Sequence, residues 1–505
     1  MDGGTFIMEK YLLAIDQGTT STRAIIFNKQ GQIIYQAQEE IEQFYPQIGW
    51  VEQDATEIYS KTLSVMIEAV VRSRLEMDQI ACIGITNQRE TIVMWDKKTQ
   101  EPVYKAIVWQ SNQSEKICQR LIKKGYEKKI QDKTGLKINP YFSATKIMWL
   151  FEKYPHLKKK AKDGELLCGT IDSWLLYKLT NGNVHATDIS NASRTMLFNI
   201  HTLKWDKELL TLFSIPETIL PEVKPSSGIF GYIEKNQFLN NQKRIPISGM
   251  AGDQQASLFG HCCFQPGELK NTYGTGCFAL INTGNKPVRS KKGLLTTIAW
   301  QIQDEICYAL EGSVFVAGAA VQWLRDGLRM IQTSKDSERY AKKVCDSQGV
   351  YVVPSFTGLG TPYWNNQVKG AIFGLTRGTT KEHIIRATLE SIAYQSKDVI
   401  ETMKKETKLC FSQIAVDGGA SENDFLMQFQ SDILQCEIIL QENAQSTALG
   451  VAFLAGLGSG LYRDLKEIKQ LKSIKKMYQP QMSAKEVRQR YAKWKVAISA
   501  VTRFV

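Results

Sequence analysis

The chain has 505 residues, 43% apolar and 23% charged, with 63 basic against 51 acidic side chains and a net charge of +12. That balance excludes a disordered chain, allows two to four domains, and leaves no run as long as the ~18 apolar residues of a membrane span. The basic excess first points to a polyanionic partner, and ten cysteines without a CxxC pair read as thiols of a reducing compartment.

The opening MDGGTFIMEK has no basic region followed by an apolar one, so no secretory signal is expected. The natural start can be Met1 or Met8, and a cytoplasmic location is expected. Tyr11 to Phe27 then reads as strand, Gly/Thr turn, strand. The turn places Asp16 at a strand end, before Gly18, Thr19, Thr20, Ser21 and Arg23. Such a turn can be a plain hairpin. It can also cradle phosphate through N–H groups, hydroxyls and the Arg23 charge, with Asp16 holding Mg²⁺ through water. Thr56 to Leu75 reads as a helix and Ile80 to Thr86 as a strand leading into Asn87-Gln88-Arg89-Glu90. Arg89 beside Glu90 offers donors and an acceptor for adjacent hydroxyls, or else a surface ion pair.

Residues 114–163 hold 14 basic and 5 acidic side chains, and residues 461–505 hold 12 and 3, so the remainder is net acidic. Both stretches read as amphipathic helices with solvated basic faces, for example Leu465, Ile468, Leu471 and Ile474 among lysines. They lack the aromatic interleaving and the zinc-finger or RRM patterns of nucleic-acid binders. Gly252-Asp253-Gln254-Gln255 opens an apolar helix, where Asp253 is either an N-cap or a general base, with Gln254 beside the substrate.

A second strand-turn-strand, Lys270 to Thr283, echoes the first and carries Tyr273-Gly274-Thr275-Gly276 in its turn. Two α/β domains are expected, residues 8–260 and 261–505, each opened by a Gly-Thr hairpin. Val416 to Asn423 reads as a strand ending in Gly418-Gly419 before a helix, and Ala448 to Leu461 as a buried helix. No Gly-Lys dipeptide and no GxGxxG occurs, which excludes a Walker A loop and a Rossmann fingerprint.

The strings AIDQGTTSTRAIIF, GITNQRET, GTIDSWL, SNASRTML, GDQQASLFG, NTYGTGCF, FTGLGTPYW, GAIFGLTRGTT and VDGGASENDFLMQFQSDIL, in this order, resemble the FGGY carbohydrate kinases, over about residues 9–460. The resemblance implies an α/β fold of two actin/hexokinase-like (ribonuclease H-like) domains flanking a catalytic cleft. The N-terminal one would hold glycerol and a phosphate hairpin, the C-terminal one the nucleotide. It implies ATP-dependent phosphorylation of glycerol with Mg²⁺, and a homo-oligomer, dimer or tetramer. Neither nucleic acid nor stable membrane insertion is expected.

Residue by residue, the resemblance gives Arg89, Glu90 and Tyr141 to the hydroxyls, Asp253 as base and Gln254 as a further contact, and Trp109 and Phe278 to the carbon chain. It gives Thr19, Thr20, Ser21, Arg23 and Thr275 to the phosphates, Asp16 to the metal, and Gly318, Gln322, Gly419 and Asn423 to the nucleotide. A non-catalytic nucleotide-binding scaffold and a nucleic-acid binder are the competing readings.

Overall fold

A computed structural model describes residues 9–365 and 367–504; the alternative start at Met8 lies outside them. The strands of the main sheet are β1 (Tyr11–Gln17), β2 (Ser21–Phe27), β3 (Ile33–Glu40), β4 (Ile80–Asn87), β5 (Ser227–Ile233), β6 (Ile245–Gly252), β7 (Leu269–Tyr273), β8 (Cys277–Gly284), β9 (Leu295–Ile302), β10 (Glu305–Val314), β11 (Gln413–Asp417), β12 (Glu437–Gln441) and β13 (Ile474–Tyr478). They form one sheet in the order β13-β12-β11-β7-β8-β10-β9-β5-β6-β4-β1-β2-β3.

Two halves repeat one scheme. In the first, the β1-β2 hairpin extends antiparallel to β3, while β4 and then β6 add parallel on the other side. In the second, the β7-β8 hairpin extends antiparallel to β10, while β11 and then β12 add parallel. The halves join through a single residue pair, Ser227 with Ile302. β1 is buried along its whole length, as an apolar strand covered on both faces must be.

The outer face of the first half carries α1 (Ala55–Ser73), which starts where the Asp54 carboxylate accepts from the Thr56 and Glu57 N–H groups. Helix α2 (Ser143–Lys153) belongs to a smaller lobe with its own core, and α3 (Ile171–Leu179) packs beside α1. The second half carries α5 (Lys381–Thr407), α6 (Asp424–Leu434) and α8 (Ala484–Arg503) on its outer face. Between the halves lie α4 (Asp253–Gly260) and α7 (Ser446–Gly458), sharing one apolar core with both. Helix α7 is the buried helix expected from Ala448 onward, and it lies on β1, β4 and β6. These two helices touch backbone to backbone: a Cβ at Gly450 would stand 1.8 Å from the Ala256 carbonyl oxygen.

The basic stretch 114–163 forms helices Glu115–Lys123, Glu127–Thr134, α2 and Pro155–Lys162, which turn Ile117, Leu121, Ile130, Ile147, Leu150 and Leu157 into the small lobe. The C-terminal stretch departs from its expected pattern. Its end is helical as expected, in α8, but the helix read through Leu465 to Ile474 stops at Gln470, and Ile474 begins β13 instead, because pairing with β12 gives that segment a backbone ladder. Among the described residues all ten cysteines are free, eight of them buried and Cys345 and Cys410 exposed. No helix among those residues is long and apolar enough to cross a membrane.

Candidate active site

The end of β4 delivers Arg89 and Glu90 into the cleft between the halves, with only 3% and 1% of their surface exposed. They are neither a surface pair nor a pair with each other. The Arg89 Nε donates to Asp253 Oδ1 at 2.9 Å, Nη1 meets Glu311 Oε2 at 2.5 Å, and Nη2 donates to the Tyr141 hydroxyl at 3.3 Å. Arg194 meets Glu90 Oε1 through Nε at 2.6 Å and Glu311 Oε1 through Nη2 at 2.9 Å.

The result is an alternating chain: Glu90, Arg194, Glu311, Arg89, Asp253. Out of water each charge needs such partners. Burial acts to raise the Glu311 pKa, but its two guanidiniums outweigh burial and hold it at about 2. Glu90 accepts from only one guanidinium, and burial pushes it up despite Arg194.

Gly252 is the N-cap of α4, so Asp253 is the first helical residue and not the cap. Its Oδ1 accepts from the Gln254 N–H, and its side chain is 31% exposed beside an Arg89 that is 3% exposed. The carboxylate therefore borders the open cleft. The Gln254 Oε1 accepts from Lys270 Nζ at 2.5 Å, which leaves its NH₂ as the free end. Lys270 is buried, which pulls its pKa down to about 8 against the opposing charge of Asp417. Phe278 pairs with Thr272 in the β7-β8 ladder, on the face that also presents Lys270 and Glu311. Trp109 meets the Tyr141 ring edge to face at 5.5 Å, and its indole N–H donates to Thr19 Oγ1 at 2.8 Å. One side chain thus joins the Tyr141 wall to the first hairpin.

In that hairpin Asp16 lies opposite Arg23, with Arg23 Nη1 at 3.7 Å. Burial raises the Asp16 pKa to about 6, with Arg23 opposing and Asp253 adding to the shift, so both carboxylates face one cleft. The Asp16 carboxylate, with that of Asp253 facing the same cleft, fits Mg²⁺, which keeps most of its water and takes few protein ligands. Thr20 is exposed and Ser21 is buried as the first residue of β2.

In the second hairpin the Thr275 carbonyl accepts from the Ala317 and Ala319 N–H groups, and Gly318 N–H donates to the Gly274 carbonyl. Behind it Gly418 has φ +88°, and a Cβ there would be 2.5 Å from the Tyr273 carbonyl oxygen, while one at Gly419 would meet nothing within 4 Å. The Gly418-Gly419 turn is therefore pressed against β7 on one side and open on the other, where a flat base has room.

One of the four nucleotide positions also caps a helix, and another stands exposed. Asn423 caps α6, its Oδ1 accepting from Leu426 N–H at 2.9 Å and its Nδ2 reaching Ser337. Gln322 ends the short helix Gly318–Gln322 with an exposed side chain. Beneath Gly418, Asp417 Oδ2 accepts from Ser257 Oγ at 2.9 Å and from the Ser446 hydroxyl, with His261 Nε2 3.1 Å away, which ties the turn to α4 and α7.

Sequence reading did not single out Glu311, Arg194 or Lys270. Their one local signal is a charged side chain inside an otherwise apolar or small-residue element, as in ICYALEGSV around Glu311.

Residues 11–260 match the family model described as the N-terminal domain of the FGGY family of carbohydrate kinases, and residues 269–459 match the C-terminal domain model. The chain is 56% identical to the glycerol kinase of Bacillus licheniformis over 497 residues, 98% of this chain and all of that protein. It is 53% identical to the glycerol kinase of Bacillus subtilis over the same coverage. The crystal structure of Plasmodium falciparum glycerol kinase with ADP superposes with a TM-score of 0.92 at 37% identity, covering 98% of each chain.

Proposed function

The chain belongs to the FGGY family of carbohydrate kinases, and from that premise we propose that it transfers the γ-phosphoryl group of ATP to a terminal hydroxyl of glycerol, giving sn-glycerol 3-phosphate in glycerol breakdown. The observation that carries this reading is the convergence of Tyr141 and Asp253 on Arg89, each within hydrogen-bond distance of its guanidinium, beside Glu90 and walled by Trp109. These donors and acceptors can satisfy three adjacent hydroxyls, and the indole occupies space that a longer sugar would need. The whole-length identity to glycerol kinases supports the same substrate.

In this reading Arg89, Glu90 and Tyr141 hold the hydroxyls, and Gln254 offers its NH₂, with Phe278 beside the carbon chain. Asp253 receives the proton as the hydroxyl oxygen bonds to the γ-phosphorus and the bond to the β-phosphate oxygen breaks. Thr19, Thr20, Ser21, Arg23 and Thr275 donate to the phosphates, and Gly318, Gln322, Gly419 and Asn423 border the base and ribose. Asp16 would hold Mg²⁺ through water, and the ion would supply positive charge to the phosphates. Residues 8–260 supply most of the polyol site and the phosphate hairpin, residues 261–505 the nucleotide site, and closing the cleft would exclude water from the transfer.

The test is a panel of glycerol, dihydroxyacetone and pentuloses with Mg-ATP, following ADP release. Glycerol-dependent ADP formation is the expected result. Activity on a pentulose and none on glycerol would move the chain to the sugar-kinase branch of the family.

A further inference from the structure

Lys146, in the first turn of α2, has no exposed surface. Buried ammonium groups ordinarily face carboxylates. This one donates only to backbone carbonyls: Tyr141 at 2.5 Å, Phe142 at 3.3 Å and Glu90 at 3.4 Å. Burial pulls its pKa down to about 7, with the Glu90 charge opposing. A cation in the first turn also stands at the positive end of the helix dipole. For the fold alone, then, the charge is a cost.

The carbonyls it grips belong to the polyol side of the cleft. Glu90 has φ +60°, a conformation that costs a glutamate about 1–2 kcal/mol unless its surroundings impose it. Its carbonyl accepts from two donors on α2, Lys146 Nζ and Ser143 Oγ at 3.1 Å. The Tyr141 carbonyl takes the shortest of the three Lys146 contacts, and its hydroxyl meets Arg89. Glu90 and Tyr141 come from separate segments, and among the described residues Lys146 is the one side chain bonded to both backbones.

We infer that Lys146 is a positioning residue of the substrate site, locking the Glu90 and Tyr141 backbones so that their side chains meet the same polyol. It does not touch substrate. The inference rests on the reading that this cup binds the polyol.

The test is steady-state kinetics on the full chain with Lys146→Met and Lys146→Gln, together with thermal unfolding. Lys146→Met is expected to raise KM for glycerol at least about tenfold while KM for ATP stays within twofold and the variant is still folded at the assay temperature. Lys146→Gln, whose NH₂ can still donate to carbonyls, is expected to recover part of the loss. An unchanged glycerol KM in Lys146→Met, or a parallel rise of both KM values, would overturn the assignment. If Lys146→Met does not fold, the Gln variant and Ser143→Ala, which removes the other donor to the Glu90 carbonyl, are read by the same criterion. If the parent enzyme ignores glycerol, the substrate reading fails separately, and the KM split is measured with whichever polyol the panel identifies.

Discussion

Arg89 and Asp253 meet through Nε and Oδ1 at 2.9 Å, joining the end of β4 to the start of α4. The guanidinium orients the carboxylate that borders the cleft, and its remaining nitrogens are held by Glu311 and Tyr141. A proton acceptor fixed in this way should contribute mainly to turnover. Asp253→Asn is expected to lower kcat about 10³-fold with glycerol binding still measurable by calorimetry. A variant that keeps kcat within tenfold would remove Asp253 from the base role.

Glu311 is the centre of the buried charge chain. Glu311→Gln leaves Arg89 and Arg194 facing one carboxylate fewer in a site closed to water, which should destabilise the protein by about 3–5 kcal/mol. Urea unfolding measures this. A loss under 1 kcal/mol would mean that water replaces the missing charge.

The first hairpin and the substrate wall are linked through the Trp109 indole. Trp109→Phe keeps an aromatic face for Tyr141 but loses the donor to Thr19. An increase of about three- to tenfold in KM for ATP is expected, the size of one hydrogen bond, with a smaller change for glycerol. An effect on glycerol alone would show that the hairpin does not depend on this contact.

Gly418→Ala adds a Cβ 2.5 Å from the Tyr273 carbonyl oxygen at a position with φ +88°. The turn must shift by strain of about 1–3 kcal/mol, and ATP affinity is expected to weaken at least about tenfold. At Gly419, where a Cβ meets nothing in the free protein, alanine should disturb the fold little and the nucleotide more. Isothermal titration with ADP separates the two.

His185 supplies a pH dependence of stability. Burial against Trp95 and Tyr177 lowers its pKa from 6.5 to about 4, while its Nε2 contact with the Cys168 carbonyl opposes the shift. Between those values the unfolded chain binds a proton that the folded one does not. Stability from this residue is therefore complete above pH 6.5 and falls as pH drops toward 4, by at most about 3 kcal/mol. Urea midpoints of His185→Gln should fall less over that interval than those of the parent, and equal slopes would count against the assignment.

The two hairpins were legible because apolar runs flank Gly/Thr turns, a pattern that pairs neighbours in sequence. Arg89 and Glu90 were legible as adjacent opposite charges, but their partners were not: Arg194 and Glu311 come from distant strands and loops that only the tertiary fold brings together. Lys146 shows the opposite error. Within the basic stretch it reads as one more solvated lysine, yet it is buried. The clue lies in its neighbours, Ser143, Ala144, Thr145 and Ile147, which are small or apolar where the exposed lysines sit among other charges. Ile474 lies in a strand and not a helix because pairing with β12 is non-local and outweighs a local helical spacing.

The backbone contact between α4 and α7 bears on how the protein is made. Helix α7 comes from residues 446–458 yet covers β1, β4 and β6, strands built from the first half of the chain. A nascent chain emerging from the ribosome therefore carries an uncovered apolar sheet face until residue 458 has been synthesised, about 370 residues after β4. Residues 1–260 expressed alone should aggregate, and co-expression of the remainder should rescue them. If so, the early half depends for its cover on a helix made late, and products truncated before residue 446 would leave that face bare.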